Sequence, residues 1–293
     1  MPSKQVVTSG GNPLQVKEFK LDNIAKNSAI VMVAKRGSGK SWVCRDIIKK
    51  FSDIPVGNII SPTEPLNNFY KKFYPDSYIF HDYNSDIISR IFARQMIMKR
   101  KNKDKNSKKK KIDLRCMLVM DDCLGDNTWK KDEQVRTLLY NGRHYNIMYI
   151  LTMQYPMGIP PNLRTQFDYI FLLADDNYNN VKKMYEQYAG IFPSLDSFRQ
   201  VFKQLTSDHG CMVIVNTNRG PNGQSNELLD KIFWYKANDN RISDIGCSQF
   251  RKYHKKNYDR EWEDKKMHIN PDEYFALKKR EKSVIKIEKI EDD

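Results

Sequence analysis

The stretch that most constrains this chain is Ala29 to Ser41, AIVMVAKRGSGKS. The apolar run Ala29–Val33 reads as a buried strand. It breaks into a loop holding Gly37 and Gly39, and the loop opens a helix expected to run from near Lys40 through Phe51. The spacing from Ala34 to Ser41 is that of a phosphate-binding loop, with alanine where the first glycine usually stands. Glycine lets the backbone bend around an anion with its N–H groups turned inward. The start of the helix adds partial positive charge. On this reading Ala34, Lys35, Arg36, Gly37, Ser38, Gly39, Lys40, Ser41 and Trp42 form the cradle of a nucleotide. Lys40 reaches the β- and γ-phosphates, and the Ser41 hydroxyl ligates Mg²⁺. The plainer alternative is a glycine turn before a capped helix.

Apolar runs that alternate with helical spacing fill the next part of the chain. Asn58–Ile60, Tyr78–Phe80, Cys116–Met120, Ile147–Thr152, Asp168–Leu173 and Cys211–Val215 read as strands, the last as the final one. Leu66–Phe73, Ile87–Met96, Lys130–Asn141, Tyr178–Tyr188 and Ser194–Leu205 read as helices. Such alternation implies right-handed crossovers and a parallel sheet covered on both faces. Residues 1–27 read as a polar lead-in with a short strand at Val16–Phe19, and 28–237 as the main domain. Residues 238–293 read as a charged C-terminal extension, with an amphipathic helix expected over Pro271–Ile287.

Two further strand ends carry chemistry. Asp121-Asp122 closes the run CMLVM. Hydrolysis of a nucleotide needs one carboxylate for Mg²⁺ and another group to activate water. Neighbouring residues on a strand point to different sides, so Asp121 is assigned to the metal and Asp122 to the water. A turn or helix cap would use the same pair. Thr152-Met153-Gln154 closes the next apolar run, where Gln154 would touch both the γ-phosphate and the attacking water, or be a surface residue. Arg143 and Arg164 each lie just ahead of a strand, and either would serve as an arginine finger, a salt bridge or a phosphate contact. His209 and Cys211 have no second pair at zinc-ligand spacing.

Charge points to a partner. Lysine and arginine number 50 against 36 acidic residues, a net charge of +14, which suits a polyanion such as nucleic acid. The densest run is KRKNKDKNSKKKKID, residues 99–113. It cannot bury surface, so it reads as a mobile insertion or a helix frayed into a loop. Lys99, Arg100, Lys101, Lys103, Lys105, Lys108, Lys109, Lys110 and Lys111 would track phosphates, or simply solvate a linker. The five cysteines form no C-x-x-C pair, which suggests reduced thiols in a cytosol-like compartment. The N-terminus has no apolar core, so no signal peptide is expected, and no apolar run is long enough to span a bilayer.

The series AKRGSGKS, LVMDDCLGD, NGRHYNIMYILTMQYP and NLRTQFDYIFLL resembles the packaging ATPases of large nucleocytoplasmic DNA viruses, within the FtsK–HerA class of P-loop motors. The resemblance covers about residues 28–215. It implies an α/β P-loop NTPase fold of the additional-strand type, mainly parallel, with the Gln154 strand between the P-loop strand and the Asp121 strand. It implies ATP and Mg²⁺ as cofactors and a homo-oligomeric ring, pentamer or hexamer. It further implies double-stranded DNA as the track, with capsid portal or inner viral membrane components as partners. The expected activity is ATP-driven DNA translocation that packages a viral genome, at assembly sites in the host cytoplasm, with the virion as a second location. The wider class often carries Asp-Glu at the second motif; Asp121-Asp122 is shorter by one methylene. The rival readings are a P-loop nucleotide or nucleoside kinase and a non-hydrolysing basic DNA-binding protein.

Overall fold

A computed structural model of the chain describes residues 3–7, 13–103, 111–123, 128–217, 228–238, 242 and 245–259. Residues 1–254 form one compact unit and residues 255–293 a second, of which only 255–259 are described. The first unit begins with a two-stranded antiparallel ribbon, β1 (Ser3–Val7) and β2 (Pro13–Lys17). Next come β3 (Ala29–Val33), α1 (Lys40–Lys50), β4 (Val56–Ile60), the one-turn helix α2 (Glu64–Asn67), β5 (Ile79–Phe80) and the long α3 (Ser85–Lys103). These are followed by β6 (Cys116–Asp121), α4 (Glu133–Asn141), β7 (Ile147–Met153), α5 (Pro161–Arg164) and β8 (Tyr169–Leu173). Helices α6 (Tyr178–Tyr188) and α7 (Leu195–Leu205) lead to β9 (Gly210–Val215), α8 (Leu228–Lys231), β10 (Ile232–Lys236) and α9 (Ser248–Asn257).

The strands β3 to β10 make one sheet in the order β10-β9-β8-β3-β7-β6-β4-β5. Strand β7 stands between β3 and β6, parallel to both, which is the additional-strand arrangement. The central strands β6, β7 and β8 are buried along their whole length, because helices cover both faces. On one face Ile88, Trp129, Leu138, Met184 and Phe198 pack on the sheet; on the other Phe19, Val43, Ile47, Tyr70 and Phe250 do so.

Several expectations are corrected. The sheet is mainly parallel, as the resemblance implies, but the wholly parallel sheet that strand–helix alternation suggests gives way at β9, which runs antiparallel to β8 and to β10. Two helices, α6 and α7, join β8 to β9; a pair of helical passes brings the chain back to the edge it left, so the next strand must run the other way. Cys211–Val215 is not the last strand either, because the apolar run of β10 pairs with it. The helix expected over Leu66–Phe73 is broken by Asn68, which adopts a left-handed φ of 46°. Lys99 to Lys103 continue α3 instead of fraying, while 104–110, with Lys105, Lys108, Lys109 and Lys110, lie outside the described residues. The lead-in is part of the core: Val16, Phe19 and Ile24 are buried. The compact unit also runs past residue 237, with Phe250 stacked on Tyr78 at 3.9 Å. The helix expected over Pro271–Ile287 lies outside the described residues.

Candidate active site

The loop after β3 is held by its own backbone. Ala34 donates its N–H to the Met153 carbonyl of β7 at 2.9 Å, and the Ser38 hydroxyl donates to the Lys35 carbonyl at 2.6 Å. Gly37 and Gly39 have φ of +80° and +96°, the region that favours glycine, and a Cβ at either would meet nothing within 4 Å. Glycine is therefore required there by backbone geometry and not by crowding. Ala34 is not among the described residues with positive φ, which is why alanine serves at that position. Helix α1 starts at Lys40, so the unpaired N–H groups of its first turn face the same space.

The acids meet this loop from the side of β6 and β7. Lys40 Nζ lies 3.8 Å from Asp121 Oδ1 and 3.6 Å from Asp122 Oδ1. Asp121 is 4% exposed. Asp122 has a left-handed φ of 57°, which lifts its carboxylate out of the strand and towards the cleft. The Gln154 side-chain amide donates to Asp122 Oδ2, and the Thr152 hydroxyl donates to Asp121 Oδ1. An open cleft of about 950 Å³ is lined by Gly37, Gly39, Lys40, Ser41, Asp121, Asp122 and Gln154 together with Trp42, Phe69, His209 and Lys236. The structure thus brings together Lys40, Ser41, Asp121, Asp122 and Gln154 from three strand ends. A hydroxyl and carboxylates beside a lysine are hard oxygen donors, and they fit a Mg²⁺–triphosphate. Ser41 and Asp121 would hold the metal.

Sequence reasoning misses some residues of the site. Tyr70 is buried beneath the acids and donates to the Cys44 sulfur at 3.6 Å; burial, then the Asp121 charge, holds its phenol well above its ordinary pKa. The same two causes push the Cys44 thiol up to about 12. His209 attracts notice in the sequence only as a zinc ligand, and Lys236 belongs to the unexpected β10, where it pairs with Asp208 at 2.5 Å. Lys35 and Arg36 also line a second cleft, of about 990 Å³, between the loop and helices α6 and α7.

The two arginines are elsewhere. Arg143 pairs with Asp168, whose other oxygen accepts the Ala29 N–H at 2.9 Å. Ala29 begins β3, so Arg143 sits at the amino edge of the sheet, a strand's length of roughly 15 Å from the loop. Arg164 is 6% exposed; its Nε donates to the Ile159 carbonyl at 2.9 Å, and another guanidinium nitrogen donates to Gln187. Neither reaches the cleft of its own chain. The described basic residues Lys99, Arg100, Lys101, Lys103 and Lys111 are exposed. Asn102 exchanges two hydrogen bonds with Ile112, at 2.8 and 2.9 Å, so α3 ends close to the segment that leads into β6. This basic cluster is therefore also at the amino edge. Among the described residues no helix is long and apolar enough to cross a membrane.

The poxvirus A32 protein family matches residues 16–225. An uncharacterized protein of Acanthamoeba polyphaga mimivirus, L437, is 42% identical over 274 residues, covering 92% of this chain and 94% of its own. The uncharacterized protein 075L of Invertebrate iridescent virus 6 is 31% identical over 243 residues, covering 82% of this chain and 90% of its own. Among solved structures, the genome packaging NTPase B204 from Sulfolobus turreted icosahedral virus 2, in complex with sulfate, has a similar fold. Its TM-score is 0.51 at 16% identity, covering 74% of this chain and 100% of that one. Lys40, Ser41, Asp121, Asp122 and Gln154 all lie inside the matched residues, and the chain is a P-loop NTPase that belongs to the poxvirus A32 protein family.

Proposed function

We propose that this P-loop ATPase is a viral genome-packaging motor. It hydrolyses ATP at the subunit interfaces of a ring and drives double-stranded DNA into a capsid. The observation that carries the reading is the convergence of Lys40, Asp121, Asp122 and Gln154 on one cleft at the carboxyl edge of the sheet. Membership of the poxvirus A32 protein family and the fold likeness to a viral packaging NTPase support it.

In this reading the loop amides and Lys40 neutralise the β- and γ-phosphates; Ser41 and Asp121 would hold Mg²⁺, which when bound would supply charge stabilisation to the leaving phosphate. Asp122 takes a proton from the attacking water, from a position beside Lys40 that aims it into the cleft. Gln154, now bonded to Asp122, exchanges that bond for one to the γ-phosphate, and so couples the presence of the phosphate to strand β7. A neighbour's guanidinium completes the site. Arg143 suits that role better than Arg164: its side chain is 63% exposed, whereas withdrawing Arg164 would strand buried partners. DNA phosphates are held without base reading by the basic cluster at the amino edge. The setting is the viral assembly site in the host cytoplasm, with portal or inner-membrane components as partners.

The test is ATPase rate per subunit against protein concentration, with and without duplex DNA. The reading requires specific activity to rise with concentration and again with DNA. Phosphate transfer to a nucleoside or nucleotide acceptor would make the chain a kinase. No turnover at any concentration would make it a binding protein.

A further inference from the structure

Thr152 is completely buried on β7 and is register-paired with Asp121 on β6. Its hydroxyl donates to Asp121 Oδ1. Thr152 Oγ1 in turn accepts the backbone N–H of Asp122 at 3.1 Å, an N–H that also reaches the Thr152 carbonyl at 3.3 Å. A hydroxyl has one hydrogen to give and lone pairs to receive. Here the hydrogen goes to one acid and a lone pair to the amide of the next. That amide belongs to the residue held at a left-handed φ of 57°, a conformation that an aspartate keeps only when its surroundings impose it.

We infer that Thr152 is a positioning residue that sets both acids at once. Its hydroxyl fixes the rotamer of the carboxylate assigned to Mg²⁺ and pins the backbone turn that aims Asp122 into the cleft. One side chain then helps to set the separation between metal ligand and base, alongside Lys40 and Gln154, and it is carried on the strand whose next polar residue is Gln154. Movement of β7 would shift the acids and the glutamine together. The inference rests on the proposed roles of Asp121 and Asp122. It goes beyond them by giving a part in their geometry to a third residue, one that is fully buried and does not line the cleft.

The test uses the full chain with Thr152→Val, which removes the hydroxyl at nearly constant shape, and Thr152→Ser, which keeps it. Thr152→Ala gives a second hydroxyl-free variant should valine disturb folding. Three quantities are read: kcat, KM for ATP, and the Mg²⁺ concentration that half-saturates the gain in ATPγS affinity. Loss of the hydroxyl is expected to lower kcat and raise the Mg²⁺ midpoint, each by about 10–100-fold, the range for groups that orient metal ligands. KM and Mg²⁺-free ATPγS affinity should stay near wild type, and Thr152→Ser should restore both affected quantities. Wild-type kcat and Mg²⁺ midpoint in the hydroxyl-free variants would overturn the inference. So would a serine variant as impaired as valine, since methyl packing would then be what matters. Asp121→Asn and Asp122→Asn run alongside separate the two levels: if they too keep wild-type turnover, the roles of the acids fail, not merely their positioning.

Discussion

The two edges of the central sheet are built in different ways. At the carboxyl edge, β3, β6 and β7 each end in a polar residue or loop within one or two positions of the last buried apolar side chain. Parallel strands end together, so three short motifs far apart in the chain are forced into one cleft. At the amino edge nothing comparable is written locally. Gln95 Nε2 donates to the Leu114 carbonyl at 2.6 Å and the Tyr145 carbonyl at 2.5 Å, and Arg143 reaches Asp168. These contacts tie α3 and the turn after α4 to strand starts, and leave α3's lysines in solvent. The carboxyl edge holds an open cleft in which mostly buried acids face a mostly buried lysine, and the amino edge is an exposed, positively charged surface. In the proposed reading the first carries the chemistry and the second the attachment to DNA.

The sharpest way to break that division is at Lys40. Lys40→Ala removes the cation facing both acids and the phosphates, and ATP turnover should fall by at least about 100-fold. Near-normal turnover would move the chemistry away from the carboxyl edge. Asp122→Asn should cost about 10²–10³-fold in kcat while ATP binding persists, because it removes the base but not the cradle. Tight binding with full hydrolysis would place the base elsewhere.

The amino edge is probed by replacing Lys99, Lys101, Lys103 and Lys111 with serine. The salt dependence of DNA affinity should flatten by roughly one unit of slope for each phosphate no longer neutralised, with ATPase in the absence of DNA unchanged. An unaltered slope would make the cluster a solvated surface. The smallest effect separates the two arginines by thermal or denaturant unfolding. Arg164→Gln should destabilise by about 1–3 kcal/mol, because the buried Ile159 carbonyl and the half-buried Gln187 amide are left without their donor. Arg143→Gln should cost less, about 1 kcal/mol, since the Arg143 side chain is solvated, although its partner Asp168 is buried and keeps, among the described residues, only the Ala29 N–H.

Legibility in the sequence follows the same line. The cradle, both acids and Gln154 are readable because each lies on a single uninterrupted stretch whose apolar run fixes where the strand stops. The arrangement of β7 between β3 and β6 comes from the family resemblance, since no local pattern orders strands. The direction of β9 escapes a reading that counts strands and helices, because it treats α6 and α7 as one crossover although they are two passes. The unforeseen β10 follows an Asn/Gly-rich stretch that reads as a turn region after the last apolar strand. Thr152 is visible only as a polar residue near a strand end, and its bonds to two residues some thirty positions away depend on register. Arg143 and Arg164 look alike as residues that precede strands; only packing distinguishes an exposed guanidinium paired to a buried acid from a buried clamp.

The most direct measurement is a structure of the chain with Mg²⁺ and ATPγS. The account predicts the β- and γ-phosphates inside the Gly37–Lys40 loop, Lys40 Nζ hydrogen-bonded to them, the metal on Ser41 and Asp121, and Asp122 facing the γ-phosphorus. A nucleotide seated instead between the loop and helices α6 and α7, with Asp121 and Asp122 still paired to Lys40, would contradict it.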